Sequence, residues 1–408
     1  MKYVISAAVI TAFSAAQPAL SADLGGSCCA DFEERIAELE ATTVRKGNRK
    51  VTLTVSGHVS EAIVFWKASG NQGDAQPEEE NSYVGTNSAS STRFRFRGWA
   101  DINKDWSAGF MMEFGVRAND LQDTSQAVSL DATGVRLRHE ALYIKSNTYG
   151  TLWLGLTSSA IDGITEICLG CGIGNVPDFD SGMSSLLTES GIRYGRMGTA
   201  TGFFAGEGSR RNGVRYVSPV LAGFSLSTSF GDDDYWDAAL RYAGKIGKLR
   251  VAAGVGYGKE TNGISAAGFG FGCTQNLSAD PDRECHTIGG SASIRHVPTG
   301  LYLSGAYGLY NDDLAPANAN TDKSWFLTGG IIRNWTKLGD TNVWVMYGDS
   351  SREIGQNSGL KQYGVGLEQN ISSAAMDMYV YYKRFEAELN NIDDGEADQV
   401  FVGARVRF

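Results

Sequence analysis

The sequence predicts an all-β fold: a transmembrane, antiparallel, up-and-down β-barrel of about sixteen strands behind a short N-terminal coiled-coil helix. Three observations predict it. From Val51 onward, apolar and polar residues alternate with period two, as strands with one apolar face require. Tight connections and longer polar ones alternate along the chain, the parity of short periplasmic turns facing long external loops. The final segment, Asp398 to Phe408, sets Val400, Val402, Ala404, Val406 and Phe408 on one face and Gln399, Gly403, Arg405 and Arg407 on the other, with Phe401 the exception. A strand closing a barrel carries its terminal aromatic into the interfacial girdle. The last strand of a soluble sandwich is the competing reading of that segment alone.

Residues 1–22 have the layout of a secretory signal: Lys2, an apolar stretch from Val4 to Ala16, then Pro18-Ala-Leu-Ser-Ala22 before the expected cleavage point. An uncleaved anchor would need a longer apolar run. The expected segment 23–50 holds the coil and a linker. Within it, Cys29, Phe32, Ile36, Leu39 and Thr43 recur at three-four spacing, the seam of barely two heptads. So short a helix needs partners, either the main body or three copies on a symmetry axis. Arg45 to Lys50 ends it with a basic stretch.

Residues 51–408 form the expected barrel. Strand candidates begin near Val51, Arg93, Asp105, Val135, Thr151, Asn212, Gly223, Tyr235, Lys248, His286, Leu301, Lys323, Thr341, Gly359, Ala374 and Asp398. Long connections are expected at Ser69 to Ser91, Asn119 to Thr133, Ser159 to Ser209, Asn262 to Glu284, Asn311 to Thr321 and Asn390 to Ala397. The brief link Gly231 to Asp234 is the weak member of the long set. About sixteen strands leave an aqueous lumen.

Composition agrees. The chain has 51 glycines and 7 prolines, which suits many strands joined by turns. Mean hydropathy of −0.20 is what lipid-facing and lumen-facing residues average to in a barrel. After the signal, no window is apolar enough for a transmembrane helix. Without the signal the net charge is −11, which argues against nucleic acid as a partner.

Arg93, Arg95 and Arg97 share the polar face of the second candidate strand, and Arg136 and Arg138 that of the fourth. On neighbouring strands they would make a cationic patch on the lumen wall; a solvated face is the bland alternative. The longest insertion, about 159–209, carries Asp162, Glu166, Asp178 and Asp180. Folded inward, it would set acids against the arginines across a constriction; an ordinary surface loop is the competing idea. Cys168, Cys171, Cys273 and Cys285 are candidate disulfide partners in an exported chain. Cys168-Leu-Gly-Cys171 has metal or redox spacing, but no further ligand lies nearby, so a structural disulfide is preferred and no metal or cofactor is expected. The histidines His58, His139, His286 and His296 sit apart with no nucleophile elbow, which disfavours an enzyme such as a barrel lipase. Asp232 to Asp234 and Asp312-Asp313 read as solvated turns. Tyr379, Tyr381, Tyr382, Trp325 and Trp344 could form a lumen track in a solute-specific channel, although girdle duty explains them more simply.

Arg211-Asn-Gly-Val-Arg-Tyr-Val-Ser-Pro219 followed by Gly223-Phe224 resembles the strand-turn-strand signature of general bacterial porins. Cys29 to Thr43 with Arg45 to Gly57 closely resembles the N-terminal segment of alphaproteobacterial porins, and Trp153-Leu-Gly-Leu-Thr157 matches the strand before their third loop. The resemblance implies a sixteen-stranded homotrimer in the outer membrane of a Gram-negative bacterium, surrounded by its lipids, with an inward third loop and passive diffusion of small hydrophilic solutes and ions. It also implies that Phe408 serves as an assembly signal. The Cys168 to Cys171 insertion matches no part of the family pattern.

Overall fold

A computed structural model describes residues 50–69, 80–121, 123–126, 128, 133–176, 185–201, 204–231, 234–261, 283–313, 315 and 319–408. The expected signal and coil, with Cys28 and Cys29, lie outside the described residues, as do Asp178, Asp180 and Cys273.

The strands in chain order are β1 (Thr52–Ala68), β2 (Glu80–Thr86), β3 (Arg93–Asp101), β4 (Trp106–Arg117), β5 (Gly134–Ser146) and β6 (Gly150–Ser158). After a long insertion come β7 (Arg210–Val217), β8 (Phe224–Gly231), β9 (Trp236–Ile246), β10 (Leu249–Thr261), β11 (Glu284–His296) and β12 (Leu301–Asp312). The set ends with β13 (Thr321–Thr336), β14 (Gly339–Arg352), β15 (Ser358–Ile371), β16 (Met376–Leu389) and β17 (Ile392–Arg407). Each pairs antiparallel with the next along the chain, except β2 with β3, and β1 pairs with β17 from His58↔Arg407 to Ala68↔Ala397, which closes the barrel. Seventeen segments make sixteen staves, because β2 and β3 pair with successive stretches of β1 and are two halves of one stave.

Two boundaries depart from the sequence reading. Glu80–Thr86 is a strand inside the expected Ser69 to Ser91 connection. Its free side is taken by the 119–121 segment: the Thr86 N–H donates to the Asn119 carbonyl at 2.8 Å and the Leu121 N–H to the Thr86 carbonyl at 3.1 Å. The stave then breaks at a 3₁₀ turn over Ser88–Ser90. At the other end, the expected Asn390 to Ala397 loop is mostly strand. Asn390 and Asn391 both take positive φ, 54° and 64°, the geometry of a two-residue hairpin turn, so β17 starts at Ile392.

The alternation sorts side chains as the barrel requires. On β1, Ala62, Val64 and Trp66 are buried inward, while Val59, Ile63 and Phe65 face out. The outward band continues through residues such as Leu154, Leu226, Leu303 and Val402. Each such side chain gains about 1.5–3 kcal/mol on passing from water into hydrocarbon. Phe401, the exception in the last strand, faces inward, fully buried, and stacks on Tyr381 at 4.7 Å between centroids. Tyr379, Tyr381 and Trp344 are likewise inward and buried, so they are not girdle residues. The outer girdle instead includes Trp325, 5.0 Å from Tyr347, and Tyr363, 5.0 Å from the same ring.

Candidate functional site

The described residues of the 159–209 insertion lie against the inner wall of the barrel. Its neck is closed by the Ser159 N–H donating to the Ser209 carbonyl at 2.9 Å. The outgoing leg crosses the inner wall from β9 to β15. Ile161 and Ile164 are buried on glycines of β10; a Cβ at Gly256 would lie 2.5 Å from Ile161, and one at Gly254 2.8 Å from Ile164. Serines hold the next turn, with the Ile167 N–H donating to Ser291 at 3.0 Å and the Leu169 N–H to Ser293 at 2.9 Å. Cys168 and Cys171 are joined in a disulfide. Beyond it, Asn342 donates to the Gly170 carbonyl at 2.9 Å and Asn175 to the Tyr302 hydroxyl at 3.0 Å.

The return leg is pinned from β17 back to β11. Asp394 accepts from the Ser190 N–H at 3.0 Å, Ser358 donates to the Met197 carbonyl at 2.8 Å, and Asp322 accepts from the Ala200 N–H at 2.6 Å. Glu207 ties the two legs together: its carboxylate accepts from the N–H groups of Gly163 at 2.5 Å and Thr165 at 3.0 Å, and from the Thr165 hydroxyl. Burial, with Asp162 nearby, raises its pKa above the ordinary carboxylate range.

The opposite wall carries the arginines. Glu113 of β4, almost fully buried, accepts from Arg95 Nε and Arg138 Nε, each at 2.7 Å, and Arg93 stands 3.8 Å away. A register shift between Glu113 and Phe114 brings Arg138 into this group. Arg210, at the start of β7, lies in the field of Arg138 and Glu113 on its own wall and of Asp162 and Glu166 on the loop. Arg93 is also close to His58, which lies in the field of Arg405 as well. Arg405 and Arg407 share Asp377, with Arg405 Nη2 at 2.8 Å.

Not every sequence candidate joins this group. Arg136 sits among Arg117, Asp120 and Asp123. Arg97 lies over the Tyr143 ring, 5.6 Å from its centroid, toward the short-turn end. Cys285 is disulfide-bonded, and its expected partner Cys273 lies outside the described residues. Asp312, expected in a solvated turn, is buried and paired with Arg283. His286 stands 3.6 Å from both Glu284 and Asp313 on the outer rim, where Lys259 also binds Glu284 at 2.8 Å. Glu113 and Arg210 were not singled out from the sequence. Glu113 was legible only as one polar residue among glycines on β4, and Arg210 as the end of an insertion.

A family model described as Gram-negative porin matches residues 6–390. The chain belongs to that family. The porin's fold is similar to that of an anion-selective porin from Comamonas acidovorans, at 17% identity and TM-score 0.59, covering 88% of this chain and 100% of that one. The outer-membrane channel DcaP of Acinetobacter baumannii matches at 12% identity and TM-score 0.56, covering 89% and 99%. The trimer form of OmpT, an outer-membrane protein of Vibrio cholerae, matches at 14% and 0.54, covering 88% and 99%. These likenesses are of fold. A search of curated proteins finds no match. The porin is an outer-membrane β-barrel that forms a water-filled channel for passive diffusion of small hydrophilic solutes and ions.

Proposed function

We propose that the narrowest passage of this porin runs between the inward loop and the wall of β3, β5 and β7, and that it prefers small anions. The carrying observation is the cluster of Arg93, Arg95 and Arg138 around one buried acid, with Arg210 beside it and Asp162 and Glu166 across from it. One carboxylate cannot neutralise three guanidiniums, so the wall keeps positive charge while the loop supplies the opposing negative charge. A transverse field of that kind orders polar solutes and water and resists apolar ones. Arg136 lies farther along the same wall, Asp178 and Asp180 would add to the loop's acids, and the disulfide at Cys168–Cys171 stiffens the loop where it turns. A second disulfide, Cys273 to Cys285, would staple an external loop.

Three further readings belong to this proposal. The chain is a secreted alphaproteobacterial porin, supported by the Cys29 to Gly57 resemblance. It works as a homotrimer in outer-membrane lipids, its coil meeting two others; the Vibrio cholerae relative is described as a trimer form. Phe408 serves as the assembly signal; its backbone exchanges hydrogen bonds with Gly57 at 2.9 and 3.1 Å, where the barrel closes. Diffusion, rather than turnover of a substrate, is what these residues perform. The test is the reversal potential of the purified channel in a planar bilayer under a KCl gradient. A potential favouring chloride is expected; one favouring potassium contradicts the anion preference.

A further inference from the structure

Toward the short-turn end, the register of β3, β4 and β5 sets inward side chains in rows. Arg97, Met111 and Ala141 share one row, Trp99, Gly109 and Tyr143 the next, and Asp101, Ser107 and Lys145 the third. The middle row is a ring, a gap and a ring. Tyr143 leans into the gap, since a Cβ at Gly109 would lie 2.5 Å from its hydroxyl oxygen. A cavity of about 390 Å³ opens over these rows.

The charges there are unevenly matched. Arg97 and Lys145 are exposed, and neither head makes a hydrogen bond or ion pair among the described residues. Lys145 has Asp101 in its own row. Arg97 has no acid in its row, and Glu113, the acid in the next row up, already serves Arg95 and Arg138. Stacking on Tyr143 orients the Arg97 guanidinium without neutralising it. Beside it stands Trp99, half-exposed on the wetted face of a channel and packed beside Tyr143 and Trp153 of the wall. An aromatic face next to an unpaired, oriented guanidinium fits a flat ring that carries one anionic group.

We propose that this slot binds a flat organic anion, its carboxylate on Arg97 and its ring against Trp99, as a weak step between the constriction and the short-turn mouth. Weakness is required, because a diffusing solute must leave as readily as it enters. The proposal rests on the inner face being the wetted face of the porin and not on the charge balance around Glu113.

Benzoate and acetate are the probes, added to the purified channel in planar bilayers while the KCl current is read. Benzoate should reduce the current saturably, with half-block at a concentration about tenfold below that of acetate, the factor that one stacked ring contributes. Trp99→Ala should bring benzoate to the acetate level, and Trp99→Phe should restore the difference. Arg97→Gln should raise the half-block concentration of both anions. Equal block by the two anions in the parent would overturn the proposal, as would an undiminished benzoate advantage in Trp99→Ala or an unchanged benzoate half-block in Arg97→Gln. Arg93→Gln with Arg210→Gln should move the KCl reversal potential yet keep the benzoate-to-acetate ratio; loss of that ratio would place the anion at the constriction and overturn this site.

Discussion

Guanidiniums a few ångströms apart repel one another unless an anion stands among them. Glu113 is that anion for Arg93, Arg95 and Arg138, and it is shielded from pore water while they are only partly so. Glu113→Gln therefore removes the screen and keeps the shape. Destabilisation of about 3 kcal/mol at most is expected, less than for a fully buried pair because the arginines retain solvent. The reversal potential should move further toward chloride, read beside a heat-denaturation midpoint. A variant that loses stability but keeps its selectivity would mean that the cluster is structural only. Arg93 and Arg95 were legible in the sequence because strand alternation puts them on one face of β3, and Arg138 as a polar-face residue of a neighbouring strand. Their partner was legible only as a polar residue of β4, since its place opposite Arg95 comes from the β3–β4 pairing, and the β4–β5 register shift then recruits Arg138. Arg97 shares their face but sits one row too far, a distance that periodicity does not measure.

At the scale of elements, the inward loop is held by close backbone approach as well as by side-chain hydrogen bonds and packing. Gly206 of the return leg lies against Gly289 and Gly308; a Cβ at Gly308 would stand 1.6 Å from the Ala205 carbonyl oxygen. Gly308→Val should therefore push the return leg off the wall while β12 keeps its pairing. A larger and noisier single-channel conductance in 1 M KCl is expected, and an unchanged conductance would show that this contact does not hold the loop. The strands were readable from alternation and turn residues, and the insertion from its length. That Gly254, Gly256 and Gly258 form the floor for Ile161 and Ile164 was not, because glycine on a lumen face reads the same with or without a loop upon it. The missed half-strand Glu80–Thr86 has a similar cause: it follows a polar segment and pairs partly with a loop, so its pattern is short and interrupted.

For the whole molecule, the barrel separates a lipid face from a water face, and we propose that the loop acids and the arginine wall face each other across the water face with opposite sign. Charge at such a passage acts over about 10 Å at 0.1 M salt and about 3 Å at 1 M. The decisive measurement is the reversal potential in a KCl gradient near 0.1 M, taken on the parent and two double variants. Arg93→Gln with Arg210→Gln leaves the Arg95–Glu113–Arg138 contacts in place and should shift the channel toward potassium. Asp162→Asn with Glu166→Gln should shift it toward chloride, and both shifts should shrink near 1 M. Reversal potentials equal to the parent's in both variants at low salt would contradict the claim that the loop and the arginine wall enclose the narrowest passage.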